Sequence, residues 1–197
     1  MSRWPAFARC KRRLAAGVGP AAAAAIQSRL CTHTLTVACG LEADGLIELR
    51  VAMSGGGTAP APGNGNPLMQ NQGEGRLGLR MRRQLLKARH PQQTRPLLII
   101  GTDLPNLHRL DLLRAIEALK KSPLVLGPAQ DGGYWLLGLG SNLAKTCPAW
   151  LFSGLPWGTD QVLALTESRA LAHGITPMLL SCHNDIDRLE DLNPWLG

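Results

Sequence analysis

Two short aliphatic runs, each ending in a glycine-containing turn, constrain the fold of this chain most strongly. The first covers Pro96–Ile100 and is followed by Gly101 and Asp103; the second covers Pro123–Leu126 and is followed by a turn that carries Asp131. Short aliphatic runs bounded by turn-forming residues are typical of strands buried on both faces. Because open α/β sheets bind ligands at the carboxyl ends of their strands, both acids are predicted to lie at a binding site.

Strand and helix patterns alternate along the rest of the chain. Helices are predicted over 20–41, 77–90, 107–121 and 160–173, and further strands over 46–53, 134–139 and 177–181. Residues 185–192 are predicted to lead into a terminal helix. This alternation is typical of a three-layer α/β domain, and we expect residues 1–197 to form a single domain. No strand pattern precedes the basic segment that begins at Arg3, so the first strand of the sheet is predicted to be missing.

Two segments show no periodic pattern. Ser54–Pro67 consists mainly of glycine, proline and asparagine, and it is predicted to be a flexible loop because it has too few apolar groups to fold by itself. Ser141–Gly158 is irregular but carries Trp150, Phe152 and Trp157, so it is predicted to form a packed lid or flap.

Charge and cysteine content narrow the class of protein. The formal net charge of +7 either favours anionic ligands such as phosphates or reflects a solvated surface. Aromatic residues make up 4% of the chain, too few for stacking on single-stranded bases, so no nucleic-acid partner is predicted. The five scattered cysteines indicate reduced thiols, and no apolar run approaches the roughly 20 residues of a membrane span. We expect a cytoplasmic protein whose oligomeric state the sequence leaves open.

A glycine pattern, Gly73-x-Gly75-x-x-Gly78, formally matches the dinucleotide-binding fingerprint. That fingerprint needs a preceding strand and an acid about 20 residues further on, and neither is recognisable here. The glycines are therefore interpreted as a flexible helix entry whose backbone amides could face an anion. No serine-hydrolase or P-loop motif is present, and the histidines other than His183 lack the spacing that would make a zinc site with Cys182.

Each acid at a predicted strand end has a structural and a functional interpretation. Asp103 could cap the following helix, or its carboxylate could hold Mg²⁺ or Mn²⁺ against a diphosphate. Asp131, with Gly132 and Gly133, could form a tight turn or could let the backbone approach a ligand closely. Asp187 could simply favour a helix N-terminus. Because three acid-bearing strand ends occur together, we favour the functional interpretation.

Several motifs together resemble those of one family. In chain order they are R-W-P-A, C-K-R-R-L-A, Q-G-E-G-R-L-G-L-R-M, G-T-D-L-P, G-P-A-Q-D-G-G-Y-W-L-L-G-L, L-P-W-G-T and D-I-D-R-L-E-D-L. They resemble GT-A-like transferases associated with radical-SAM/selenodomain proteins, which include arsenosugar-biosynthesis-type glycosyltransferases. More distantly, they are similar to molybdenum-cofactor and phospholactate guanylyltransferases. The resemblance implies a Rossmann-like, three-layer α/β/α nucleotide-diphospho-sugar transferase fold with a mixed, mostly parallel sheet.

The resemblance implies roles for four residues on the phosphate side of a nucleotide. Lys11 and Arg13 of C-K-R-R-L would face the phosphates and assist catalysis. Asp103 of G-T-D-L-P would be the metal-binding aspartate, and Asp187 of D-I-D-R-L-E-D-L would be the second acid at a Mg²⁺ or Mn²⁺ ion.

The resemblance also implies roles on the nucleotide and acceptor sides. Gln72 and Gly73 match a segment that binds the nucleotide. Asp131, Gly132 and Gly133 match the acceptor or sugar side, where the two glycines would let the backbone approach the ligand. Asp131 would then orient or deprotonate an acceptor hydroxyl.

The implied activity is transfer of a sugar from a nucleotide-diphosphate donor to a small-molecule acceptor. G-T-D-L-P has one aspartate where many glycosyltransferases carry Asp-x-Asp, so a nucleotidyltransferase that joins an NTP to a phosphorylated metabolite remains an alternative. Phe7 and Ala8 stand where the family has Pro-Gly, and the first strand pattern is missing. A non-catalytic nucleotide-binding protein with a truncated N-terminus is therefore the third possibility.

Overall fold

The structure is a computed structural model that describes residues 1–55, 68–89 and 95–195, so most of the predicted flexible loop at 54–67 lies outside the described residues. The strands are β1 Ser2–Arg3, β2 Arg50–Ser54, β3 Leu68–Asn71, β4 Leu97–Ile100, β5 Leu124–Pro128, β6 Tyr134–Leu139 and β7 Met178–Leu179. The α-helices are α1 Arg12–Val18, α2 Pro20–Ala43, α3 Leu77–Ala88, α4 Arg109–Ala118, α5 Ser141–Thr146 and α6 Val162–Ala172. Two short 3₁₀ helices cover Ala149–Leu151 and Glu190–Trp195.

The chain divides into two compact units, each with its own sheet. The first unit comprises Met1–Asn71, Gly101–Arg109 and Asn184–Gly197, and the second comprises Gln72–Ile100 and Leu110–His183. The first unit is therefore assembled from three separate pieces of sequence.

The first unit contains a parallel sheet of three strands in the order β1-β2-β3. The prediction that the first strand is missing was wrong, since Ser2 and Arg3 pair with β2. The segment that ends in β3 was also wrongly read as lacking a strand. Both strands are too short to show an alternating pattern. β2 begins at Arg50 rather than at residue 46, and Leu46 is half exposed.

The second unit contains a sheet in the order β4-β6-β5-β7, in which β6 runs antiparallel to both of its neighbours. The prediction of a fully buried strand is confirmed for β5, where Leu124, Val125 and Leu126 are all 0% exposed. It was wrong for Pro96–Ile100, because β4 lies at the sheet edge and its residues are only partly buried. Since three strand pairs are parallel and two antiparallel among the described residues, the predicted mixed, mostly parallel α/β class is confirmed.

Several predicted boundaries differ from those observed. The segment Ser141–Gly158, predicted to be irregular, contains α5 and a 3₁₀ helix, and the predicted packing is confirmed because Leu151, Phe152 and Leu155 are buried. Residues 185–192 were predicted to lead into a terminal helix, and the last element is a short 3₁₀ helix that begins at Glu190. Before it, the Ile186 N–H donates to the Asp103 carbonyl, and the N–H groups of Asp187 and Arg188 donate to the Asp191 carboxylate.

No helix among the described residues combines the length and the apolar character that crossing a bilayer requires.

A tryptophan packed directly on a glycine fixes β5 against β6. A Cβ atom at Gly127 would lie 2.4 Å from the Trp135 ring. That ring cannot move away easily, because its Nε1–H donates to the Ser181 carbonyl at 3.2 Å and it packs edge-to-face with the His183 ring at 4.9 Å between centroids.

We therefore expect Gly127→Ala to lower the free energy of unfolding by about 1–3 kcal/mol through overpacking. Urea denaturation followed by tryptophan fluorescence measures this loss. Gly101→Ala is the matched control, since a Cβ there meets no atom within 4 Å and its effect should stay within about 0.5 kcal/mol. Equal stability of the two variants would contradict this packing argument.

One arginine holds the packed segment after α5. The Arg169 guanidinium donates to the carbonyls of Trp150, Ser153 and Gly154 at 3.1, 2.5 and 2.8 Å. Gly154 adopts a left-handed conformation (φ 67°), which brings its carbonyl into this set.

We expect Arg169→Met, which keeps an unbranched apolar stem but removes the guanidinium and its three hydrogen bonds, to destabilise the fold by about 1–2 kcal/mol. Hydrogen exchange should rise first in residues 149–155. Arg109→Met removes an exposed ion pair with Asp44 and should cost no more than about 0.5 kcal/mol. Unchanged exchange in residues 149–155 would show that Arg169 does not fix this segment.

Candidate functional site

A buried lysine paired with a partly exposed aspartate forms the centre of the first unit's polar cluster. Lys11 Nζ lies 2.7 Å from Asp103 Oδ1, and its side chain is 3% exposed, whereas that of Asp103 is 46% exposed. Lys11 Nζ also donates to the Ile186 carbonyl. Lys11 is the N-cap residue of α1, and Arg13 lies within that helix.

The backbone around Asp103 is held on both sides. The Asp103 carbonyl accepts the backbone N–H of Ile186 at 2.9 Å, while Leu104 and Leu107 are completely buried. Ile186 belongs to an apolar cluster with Leu14, Ala23 and Leu30. The two acceptors of the Lys11 ammonium are therefore anchored by packing.

Asp187 forms a second ion pair directly after Ile186. Its Oδ2 lies 2.9 Å from Arg13 Nη1, and the two side chains are 40% and 61% exposed. The backbone N–H groups of Asp187 and Arg188 donate to the Asp191 carboxylate at 2.8 and 2.7 Å. Asp191 thus fixes the backbone, while the exposed Arg13–Asp187 pair contributes little to stability.

A row of buried polar groups next to Asp103 was not found from the sequence. Thr102 Oγ1 donates to Ser2 Oγ at 2.8 Å, and Ser2 Oγ lies 2.9 Å from Cys31 Sγ, which also accepts from Gln27 Nε2 at 3.1 Å. The spacing of Gln27 and Cys31, one helical turn apart on the buried face of α2, was the available signal. The row fixes Thr102 and, through it, the start of the Asp103 turn.

The α-amino group of Met1 lies in the same region. Burial lowers its pKa to about 6, and the negative charge of Asp103 opposes that shift.

In the second unit, Asp131 lies in a tight turn between β5 and β6. Its Oδ1 accepts the Gly133 N–H at 2.8 Å, and its side chain is exposed. Gly132 has a φ of 82°, and a Cβ there would lie 2.2 Å from the Asp160 carbonyl oxygen. The two glycines are thus explained by the turn and by backbone packing, whatever else they contact.

Gln72 and Gly73 are held by the arginines of α3. The buried Gln72 accepts Arg80 Nη1 at its Oε1 (2.7 Å) and Arg83 Nη1 at its carbonyl (2.9 Å). Gly73 has a φ of 74°, and a Cβ there would lie 2.4 Å from Arg83 Nη1. This segment follows β3, so one of the two reasons for rejecting the dinucleotide fingerprint fails. Gly78, its last glycine, packs against the Phe152 carbonyl.

The predicted site residues fall into two groups, and their roles stay predictions. One group lies in the first unit: Lys11, Arg13, Asp103 and Asp187. The other lies in the second unit: Gln72, Gly73, Asp131, Gly132 and Gly133.

Two carboxylates in the first unit fit a divalent metal in a restricted way. Among the described residues, no three His, Cys, Asp or Glu side chains are grouped as a metal site would require. Mg²⁺, however, is commonly held by one or two carboxylates together with substrate phosphates. Asp103 and Asp187 are both partly exposed, and the bond from Ile186 N–H to the Asp103 carbonyl brings their backbones close together. The two carboxylates therefore suit a metal that is also bound by substrate phosphates, and not a metal held by protein ligands alone.

The Lys11–Asp103 and Arg13–Asp187 ion pairs should contribute different amounts to the free energy of unfolding. Asp103→Asn leaves the buried Lys11 ammonium without its anion, so we expect a loss of about 1–2 kcal/mol in the free energy of unfolding. Asp187→Asn makes the same chemical change in an exposed pair and should cost no more than about 0.5 kcal/mol. Chemical denaturation of both variants at pH 7 tests this, and an equal loss would contradict the assigned burial.

The mixed α/β architecture is similar to that of several solved structures. The fold is similar to a "putative nucleotide-diphospho-sugar transferase" from Desulfovibrio desulfuricans G20 (TM-score 0.76, 22% identity, 98% of this chain and 82% of that chain). It is also similar to 2-C-methyl-D-erythritol 4-phosphate cytidylyltransferase from Thermus thermophilus (0.53, 19%, 80% and 84%). A third similar structure is Rv0371c from Mycobacterium tuberculosis H37Rv in complex with manganese (0.51, 18%, 85% and 86%).

These likenesses define a fold class, and the sequence defines a family within it. The chain belongs to the family described as "Uncharacterized protein conserved in bacteria (DUF2064)", whose sequence model matches residues 36–159. No curated protein matches the sequence. The predicted nucleotide-diphospho-sugar transferase-like fold is thereby confirmed.

Proposed function

We propose that this protein is a transferase that uses a nucleotide-activated donor, and that it moves a sugar from a nucleotide diphosphate to a small acceptor with the help of a divalent metal. The observation that carries the proposal is the Lys11–Asp103 pair, a buried ammonium 2.7 Å from a partly exposed carboxylate. A cation beside an acid that could hold a metal suits the negative charge of a diphosphate leaving group.

Four residues carry the roles proposed at the phosphates of the donor. Asp103 and Asp187 would hold Mg²⁺ or Mn²⁺, which when bound neutralises the charge that grows on the departing diphosphate. Lys11 would add a positive charge from a largely buried side chain, and Arg13 would add another from an exposed side chain. Once paired with the bound phosphates, these charges would lower the barrier by stabilising the negative charge that develops there.

Gln72, Gly73 and Asp131 keep the nucleotide and acceptor roles that the sequence motifs imply. The Gln72–Gly73 backbone is held rigid by Arg80 and Arg83, which suits a surface against which a nucleotide packs. The exposed Asp131 carboxylate uses one oxygen in its own turn, so its other oxygen could orient an acceptor hydroxyl or take its proton.

The similar structures support a nucleotide-using transferase but differ on the reaction. One is described as a nucleotide-diphospho-sugar transferase, one as a cytidylyltransferase, and one was solved with manganese. The single aspartate of G-T-D-L-P and the cytidylyltransferase likeness favour nucleotidyl transfer as the second candidate. Assignment to the arsenosugar-type, radical-SAM-associated branch rests on the sequence motifs.

A product assay distinguishes these activities. The protein, with Mg²⁺ or Mn²⁺ and a panel of acceptors, is incubated with nucleotide sugars and, separately, with NTPs. We expect nucleoside diphosphate from the sugars; pyrophosphate from the NTPs would establish the second candidate, and binding without turnover would indicate a non-catalytic protein.

Asp103→Asn should lower kcat/KM by about a hundredfold or more, because the metal loses its carboxylate. Asp44→Asn is the matched control, since Asp44 forms an exposed pair with Arg109 in the same unit and its loss should leave kcat/KM unchanged. Full activity in Asp103→Asn would refute the metal assignment.

A further inference from the structure

We infer that Lys11 is the resident counter-cation of Asp103 and competes with a free divalent metal, so that the metal enters together with nucleotide phosphates that draw the Lys11 ammonium away. The inference rests on the proposed function, since it assumes that Asp103 is a metal ligand. It adds a coupling between the metal and the nucleotide.

The geometry makes metal and ammonium competitors. Mg²⁺ binds oxygen at about 2.0–2.1 Å, and Lys11 Nζ already lies 2.7 Å from Asp103 Oδ1. A divalent ion at either oxygen of that carboxylate would therefore lie within a few ångströms of a positive charge. The Lys11 side chain is 3% exposed, so little water screens this repulsion.

Bound phosphates would compete with Asp103 for the Lys11 ammonium. Its second acceptor, the Ile186 carbonyl, is a neutral dipole, so Asp103 is the anion paired with it in the described contacts. A diphosphate carries more negative charge than one carboxylate and can take over the ammonium. Once Lys11 is paired with phosphate, Asp103 is available to the metal, and each ligand strengthens binding of the other.

The neighbouring pair provides an internal comparison. Arg13 and Asp187 lie 2.9 Å apart, but their side chains are 61% and 40% exposed. Water and salt screen this pair, so Arg13 should oppose a metal far less than Lys11 does. The competition between Lys11 and a metal for Asp103 therefore depends on the burial of the Lys11 side chain, and a cation beside an acid is not sufficient for it.

The test is Mn²⁺ binding without nucleotide, measured from the electron paramagnetic resonance signal of free Mn²⁺. Lys11→Gln should bind Mn²⁺ about tenfold more tightly than the native chain, because the carboxylate is no longer neutralised. Lys11→Arg keeps the charge and should remain near the native affinity. Lys120→Gln removes the same charge from an exposed pair with Glu117 and should change nothing. Arg13→Gln should gain less than about threefold.

A second measurement uses the unaltered protein and covers the case in which a Lys11 variant does not fold. Acetylation of lysines is followed by mass spectrometry with and without saturating Mn²⁺. A displaced Lys11 ammonium should react about threefold or more faster with Mn²⁺, whereas the exposed Lys120 should react at the same rate. Added pyrophosphate should slow Lys11 again by pairing with its ammonium.

The outcomes separate this inference from the proposed function. An unchanged or weaker Mn²⁺ affinity in folded Lys11→Gln, or an Lys11 acetylation rate that Mn²⁺ does not raise, overturns the competition. A tenfold gain that persists in the Lys11→Gln, Asp103→Asn double variant also overturns it, because the metal then binds elsewhere. If no transferase activity is found while the gain depends on Asp103, the proposed function fails and the competition stands.

Discussion

The ion pair between Lys11 and Asp103 is the interaction on which the first unit's arrangement depends. It joins two pieces of chain that are distant in sequence, and the Ile186 carbonyl adds a third. Removing an ammonium from water is costly unless it is paired, so these three pieces must assemble together. The apolar cluster around Ile186 and Leu14 supplies the burial that offsets this cost.

The same pair links stability to the proposed chemistry. A buried charge is weak evidence for a stabilising role, because well-packed apolar groups often serve as well. Asp103 is partly exposed, and a second acid, Asp187, lies nearby in the first unit. We therefore assign the buried Lys11 charge to the proposed chemistry: it lies beside a carboxylate that could hold a metal with a bound diphosphate. The hydrogen bonds that link Thr102, Ser2 and Cys31 hold the start of the turn that carries Asp103.

Two glycines of the second unit that were predicted to contact a ligand also have structural reasons to be glycine. Gly132 is required because the Asp160 backbone passes too close for a Cβ, and glycine is favoured at position 73 because its φ of 74° is left-handed. Glycine at these positions is therefore no proof of a bound ligand. The distinction matters for mutagenesis, since replacing either glycine tests the local backbone as much as any binding role.

The sequence by itself determined the fold class, the buried strand β5 and the main helices, because these depend on local periodicity and on short aliphatic runs. It could not reveal β1 or β3, which are too short to carry a period and exist through pairing with β2. The sequence motifs indicated both Lys11 and Asp103, but they predicted phosphates as the partner of Lys11 and a metal as the partner of Asp103. Only the tertiary structure placed the Lys11 ammonium on Asp103, because contacts between distant segments follow from packing and leave no local pattern in the sequence.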